Sequence, residues 1–215
     1  MLSRTTPTTP TICPVPLPIL RKHANIVQTY TDDLLLLYAT AATEIAESAT
    51  NRYFLQRQIS WVLTTDARQS IYSSLAVTLQ NYFNSYMHPW LHCPHSAISV
   101  DSVSLGTWGV TPDVTLVQGT DYYADVSTDP ARIQLLSFDA FQANVDHLTT
   151  TYHTGYGTSA ETVPKAIQQA IMLLTTRLYQ QRGDEVGALW SSGAEALLAP
   201  YTVFQFGAAS DLYSA

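Results

Sequence analysis

Residues 164–181 read PKAIQQAIMLLTTRLYQQ. Ile167, Ala170, Ile171, Leu174 and Leu178 recur at intervals of three and four, which lays one apolar stripe along a helix and turns it toward a core. Pro164 suits the first helical position, where its missing N–H leaves no bond unmade. Gly183 supplies the stop. Working back along the chain, a second helix is expected over residues 31–48. Thr31 can cap it, and Asp32 and Asp33 set negative charge at the positive end of its dipole. Leu34, Leu37, Ala41, Ile45 and Ala49 share a face, the one expected to enter the helical core. Leu35, Tyr38 and Ala42 widen it, which predicts packing on more than one side. Asn51 tolerates the left-handed conformation that closes a helix.

Between these helices the period changes. Residues 55–64 alternate irregularly, with Leu55, Ile59, Trp61 and Leu63 among polar neighbours, and read as a strand. Short strands are expected at 97–105, 114–117, 122–126, 132–136 and 146–153, punctuated by Gly106, Gly109, Pro112, Gly119 and Pro130. Residues 71–86 fit either a helix or a strand, and the spacing of Leu75, Leu79, Tyr82, Phe83 and Tyr86 leans to helix. Gly155 and Gly157 form a turn leading into the Pro164 helix. The fold class that follows is α+β: a small antiparallel helical core with an inserted, mostly antiparallel β region at about 54–153 and an extended C-terminal tail. The expected organisation is an extended arm (1–18), a single domain (19–194) and a tail (195–215). The arm carries prolines at 7, 10, 14, 16 and 18, which exclude a helix; it reads as a loose tail or as an arm lying on a neighbouring subunit.

Composition narrows the function. The 215 residues are 46 % hydrophobic but only 13 % charged, against about 25 % charged in an average soluble domain. The apolar content argues against disorder. No run approaches the ~18–20 apolar residues of a membrane span, and residues 1–18 lack the apolar stretch of a secretory signal. Ten basic residues face seventeen acidic ones, a net charge of −7. Tight duplex binding relies on Lys and Arg neutralising phosphates, so DNA is not an expected ligand. Sparse charge also suits surfaces buried between subunits. Cys13 and Cys93 are the only cysteines; they could pair, but read more simply as free thiols in a reducing compartment.

Catalytic patterns are scarce. His88, His92, Cys93 and His95 are residue types that ligate zinc, but Pro89 and Pro94 break a regular helix there, and Asp101 is the nearest acid. A proline-bent loop is the simpler reading, with a metal-dependent enzyme as the low alternative. There is no G-x-S-x-G elbow, and Gly155-Tyr156-Gly157 lacks the rest of a phosphate-binding pattern. No enzyme, metal or cofactor is expected. The tail is more suggestive: Leu197, Leu198, Pro200, Tyr201, Val203, Phe204 and Phe206 concentrate apolar and aromatic surface beyond the last long helix. Such a segment either folds back into its own core or docks on a partner, and docking is the favoured expectation.

Several segments in order resemble one family. They are DDLLLLYATAATEIAESATNR at 32–52, QISWVL at 58–63, AISVDSV at 97–103, GTDYYAD at 119–125, TYHTGYG at 151–157, VPKAIQQAI at 163–171, LYQQR at 178–182 and ALLAPY at 196–201. The series resembles the head-tail connector (adaptor, or head completion) proteins of tailed phages, prophages and gene transfer agents, over roughly residues 19–205. Asn51 stands where that family usually has glycine, and residues 71–86 look like an insertion. The resemblance implies a non-enzymatic virion protein of the neck, assembled in the host cytoplasm. It implies a ring of about twelve copies under the portal protein, joining the head to a stopper or tail-completion protein. DNA would pass through the channel without specific binding, and no membrane is involved. It further implies that the C-terminal segment docks on the portal. A tail completion or terminator ring is the nearest alternative.

Overall fold

The computed structural model describes residues 2–8, 13–64, 90–136, 145–181 and 192–203. The expected segment at 71–86, His88, the Gly183 stop, Phe204 and Phe206 lie outside the described residues. The chain divides into a helical unit, Thr9–Gln56 with Gly155–Val203, and a β unit that includes Met1–Thr8 and Arg57–Thr154. The secondary structure is α+β.

In the helical unit, α1 spans Leu17–His23, α2 Asp32–Thr50, α3 Lys165–Gln180 and α4 Ser192–Leu198. Helix α3 packs against α1, α2 and α4. Its Ile167, Ala170, Ile171 and Leu174 are buried, and Leu178 is half-buried against the same core. Pro164 sits one position earlier than the sequence suggests, at the N-cap, with φ −51° and ψ 137°. Thr31 holds the N-cap of α2 but makes no side-chain capping bond.

The buried face of α2 is not the one its large residues suggest. Leu35, Ala39, Ala42 and Ala46 enter the core with Thr43 and Thr50, while Leu37 is 63 % exposed and Leu34, Ala41 and Ile45 are only half-buried. The physical reason is the alanine row. Small side chains let two helix axes approach at the short end of the usual ~8–10 Å range, so α2 turns its alanines and Leu35 toward the core and leaves Leu36 and Leu37 outside. Thr43 and Thr50 fit this face because their hydroxyls donate to the carbonyls of Ala39 and Ala46 at 2.7 and 2.8 Å, leaving no buried donor unmet.

In the β unit, a five-stranded sheet has the order β1-β2-β8-β4-β5, formed by Leu2–Pro7, Arg57–Thr64, His147–Thr154, Ala97–Thr107 and Val110–Thr115. A three-stranded sheet has the order β3-β7-β6, formed by Trp90–His92, Arg132–Leu135 and Tyr122–Asp125. All of these pairings are antiparallel. On β8, Leu148, Thr150, Tyr152 and Thr154 face inward in register with Ile59, Trp61 and Leu63 of β2, while Thr149 and Thr151 are half-exposed. The β4–β5 hairpin starts earlier than its apolar residues indicate. It turns at Trp108-Gly109, where Gly109 has φ +83°, and carries Pro112 on the edge strand, where a missing N–H breaks no ladder.

Of the expected arm, Leu2–Pro7 is extended and lies on its own chain, whereas Leu17 and Pro18 open helix α1, where a proline in the first turn leaves no helical bond unmade. Leu2–Pro7 pairs antiparallel with β2, Thr5 opposite Trp61 and Pro7 opposite Ile59. The backbone N–H of Thr8 continues the contact, donating to the Gln58 carbonyl at 3.1 Å. Unpaired edge N–H and C=O groups on β2 are satisfied this way, which no composition argument could foresee.

Candidate functional site

Three separated stretches of sequence converge where α2 ends. Asn51 adopts the left-handed conformation (φ 51°), and the Arg52 N–H returns to the Glu47 carbonyl at 3.1 Å. The buried Glu47 carboxylate accepts the Phe54 N–H at 2.9 Å. The glycine turn lies alongside: Tyr156 N–H donates to the Phe54 carbonyl at 3.1 Å, and Gln56 N–H donates to the Gly157 carbonyl at 2.8 Å. Gly155 has φ +99°, and a Cβ there would stand 2.5 Å from the Leu55 carbonyl carbon and oxygen. Only glycine lets the two backbones meet so closely. A Cβ on Gly157 would meet the Thr162 side chain at 2.6 Å.

The C-terminal stretch closes on this scaffold. After α4, a 3-10 turn at Ala199–Tyr201 presents the Tyr201 carbonyl to Arg52, whose Nε donates to it at 3.1 Å. The Arg52 guanidinium lies 5.6 Å from the centre of the Tyr156 ring, and the Tyr156 and Tyr201 rings meet edge to face at 6.5 Å. Val203 N–H donates to the Thr50 carbonyl at 2.8 Å. Leu198 and Val203 are buried, Leu197 and Tyr201 are half-buried, and Pro200 is exposed. The expectation of a docking tail starting at 195 is therefore corrected. Through Val203 the segment is built into its own helical unit, because the cap of α2 offers it a carbonyl, a guanidinium and an aromatic face. Composition marked the tail as apolar but missed Arg52 and Glu47. The signal that could have found them is the coincidence of the NR, GYG and PY motifs in one sequence.

Among the described residues, two apolar surfaces of the helical unit are left uncovered. One is the outer face of α2, where Ala41, Glu44, Ile45, Ser48 and Ala49 line a shallow groove. The other surrounds the α1–α2 connection, where Val27 and Tyr30 are 91 % and 80 % exposed.

The histidine-cysteine stretch offers little chemistry. Cys93 is buried, which pushes its thiol up to about 12 and opposes the thiolate a metal or an electrophile would need. Its backbone N–H is held by the Ala131 carbonyl at 2.8 Å. Burial, and then the Arg132 charge, lowers the His92 pKa and favours its neutral ring. Arg132 itself stacks 4.2 Å from the Trp90 ring and pairs with Asp125 at 2.9 Å. Among the described residues no three His, Cys, Asp or Glu side chains stand close enough to hold a metal ion. Other histidines pair with carboxylates on the sheet, His147 with Asp113 and His153 with Asp101, both at 3.1 Å. Cys13 and Cys93 are both free thiols. No helix among the described residues is long and apolar enough to cross a membrane.

No protein-family model matches the chain, and comparison with curated proteins finds no match. Solved structures do share its fold. A chain in the neck of an empty gene transfer agent particle, computed with C6 symmetry, aligns with a TM-score of 0.67 at 18 % identity, covering 96 % of this chain and 97 % of that one. A chain in the virion of the native gene transfer agent particle gives 0.68 at 18 % identity with the same coverage. A chain in the neck of the native particle, computed with C12 symmetry, gives 0.64 at 19 % identity, again over 96 % and 97 %. The likeness thus extends over almost the whole length of the chain.

Proposed function

We propose that this chain is a structural subunit of a virion neck, a head-tail connector that forms a ring of about twelve copies under a portal protein. In this reading it extends the DNA channel and joins the head to a stopper or tail-completion protein. The observation that carries it is the fold shared over nearly the whole length with chains of gene transfer agent necks. Those necks were computed with C6 and C12 symmetry, and different patches meeting head to tail close into such rings. A charge of −7 on 215 residues suits a wall past which DNA slides, since polyanion and wall repel rather than bind. The role needs no catalysis.

The portal contact is assigned to Phe204 and Phe206, which follow the anchored Val203 in sequence. The test compares particles assembled with the full chain and with a chain ending at Val203. The shortened chain keeps Leu198, Tyr201 and Val203 in place and should fold with an unchanged circular dichroism spectrum, yet fail to attach to the portal. Normal attachment would overturn the assignment to Phe204 and Phe206. Absence of the full chain from the neck would overturn the connector reading itself.

A further inference from the structure

We infer that neighbouring copies meet through their helical units, the α1–α2 connection of one copy seating in the outer groove of α2 on the next; this rests on the ring reading above. Helix α2 carries apolar residues beyond its buried row. Its own chain covers Leu35, Ala39, Ala42 and Ala46, while outside that row Leu37 and Ala49 are exposed and Ile45 is half-buried. There the small residues Ala41, Ser48 and Ala49 leave a recess floored by Ile45 and rimmed by the exposed carboxylate of Glu44.

The opposite end of the unit has the matching character. Val27 and Tyr30 are 91 % and 80 % exposed, and Val27 shares the lining of a shallow recess with Lys22 and Ile26. Arg21 is held by Asp32, its Nε 2.6 Å from the carboxylate, which leaves Lys22 as the exposed cation of α1. Lys22 is one of only two lysines in the chain. Asp33 is exposed at this end as well, so the charges set register more than affinity, and the Val27 and Tyr30 side chains supply the apolar contact. An exposed apolar surface bearing Lys22 thus complements an apolar groove bearing Glu44.

The occupant of the groove is a second copy. The α1–α2 connection enters α2 at Asp32, thirteen residues before Ile45, about 20 Å along the helix axis at 1.5 Å per residue. A copy cannot reach its own groove with its own connection. Because the two surfaces differ, the contact is heterologous, the kind that propagates around a ring rather than stopping at a dimer.

The test uses full-length chain assembled into particles. A Val27→Cys, Ile45→Cys double variant on a Cys13→Ser, Cys93→Ser background, oxidised with copper phenanthroline, should give a ladder of species well beyond the dimer, whereas each single variant on that background gives at most a dimer. A ring visible in the neck without that ladder would overturn this contact and leave the connector reading standing. A neck without any ring of this chain would overturn both. As a second measurement, Lys22→Glu should lower incorporation into necks several-fold, and adding Glu44→Lys should restore it. Equal incorporation by Lys22→Glu and the natural chain, or no rescue by the second change, would contradict the pairing.

Discussion

Arg52 holds the chain's C-terminal stretch at the Tyr201 carbonyl: its Nε donates to that oxygen at 3.1 Å while its guanidinium covers the Tyr156 ring. One side chain therefore joins the end of α2, the glycine turn and the final described turn. A hydrogen bond from a charged donor contributes about 1.5–3 kcal/mol. Arg52→Ala should lower the stability of the full chain by about that amount in urea unfolding. Arg52→Lys should recover only part, because an ammonium lacks the planar fork that both stacks and donates. No change in the unfolding midpoint of Arg52→Ala would contradict this anchoring.

Gly155 and Gly109 separate backbone strain from backbone collision. Both have positive φ, +99° and +83°, but a Cβ on Gly155 would strike the Leu55 carbonyl while one on Gly109 meets nothing within 4 Å. Gly109→Ala should cost about 1–2 kcal/mol, the ordinary penalty for a left-handed residue. Gly155→Ala should cost distinctly more or prevent folding, read as the difference in denaturation midpoint. Equal losses would show that the close approach at Leu55 carries no energetic weight.

The two faces of α2 should respond oppositely to truncation. Leu35 is fully buried, and Leu35→Ala should cost about 2–5 kcal/mol through lost transfer energy and a cavity. Leu37 is 63 % exposed, so Leu37→Ala should stay within about 0.5 kcal/mol in the isolated chain. A large loss for Leu37→Ala and a small one for Leu35→Ala would restore the face that the large residues suggest.

Burial of Cys93 gives a pH dependence with a definite sign. Its thiol pKa rises from 9.0 to about 12 on folding, so the folded state keeps a proton that the unfolded state releases. The contribution is fully present below pH 9 and is lost as pH rises through about 12, with a slope of up to ~1.4 kcal/mol per pH unit. Tyr122, raised by burial, acts in the same direction. Cys93→Ala should flatten the fall in stability on the alkaline side, leaving the shares of Tyr122 and of Cys13, whose thiol burial also raises. At pH 8 the Cys93 thiol should react with a disulfide reagent only after unfolding. At the acid end, the Ser127 hydroxyl and the Arg132 guanidinium hold the Asp125 carboxyl below its ordinary range, a contribution lost as pH falls through that lowered value.

Much of this architecture is readable from period alone, and the exceptions have physical causes. The stripe of Ile167, Ala170, Ile171 and Leu174 places α3 because large apolar residues and burial coincide there. On α2 they part company: the core takes alanines and threonines, which carry little hydropathy but permit close packing, and the leucine that draws the eye, Leu37, points outward. The sheet order β1-β2-β8-β4-β5 depends on pairings between residues far apart in sequence, such as Trp61 with Thr150, and local pattern carries no record of them. The tail's apolar character is plain in the sequence, but whether Leu198 and Val203 meet their own core or a partner is decided by Arg52 and the Thr50 carbonyl. The Asn51-Arg52, Gly155-Tyr156-Gly157 and Pro200-Tyr201 pieces were visible as motifs; their convergence is a property of the fold.

The central claim is that this chain is a collar subunit between head and tail, and a reconstruction of the neck from particles that carry it tests that claim most directly. The account predicts a closed ring into which both units fit, stacked against the portal, with side-chain density for Phe204 and Phe206 at that junction. A neck in which this fold is missing, or in which it occurs as isolated copies away from the DNA channel, would contradict it.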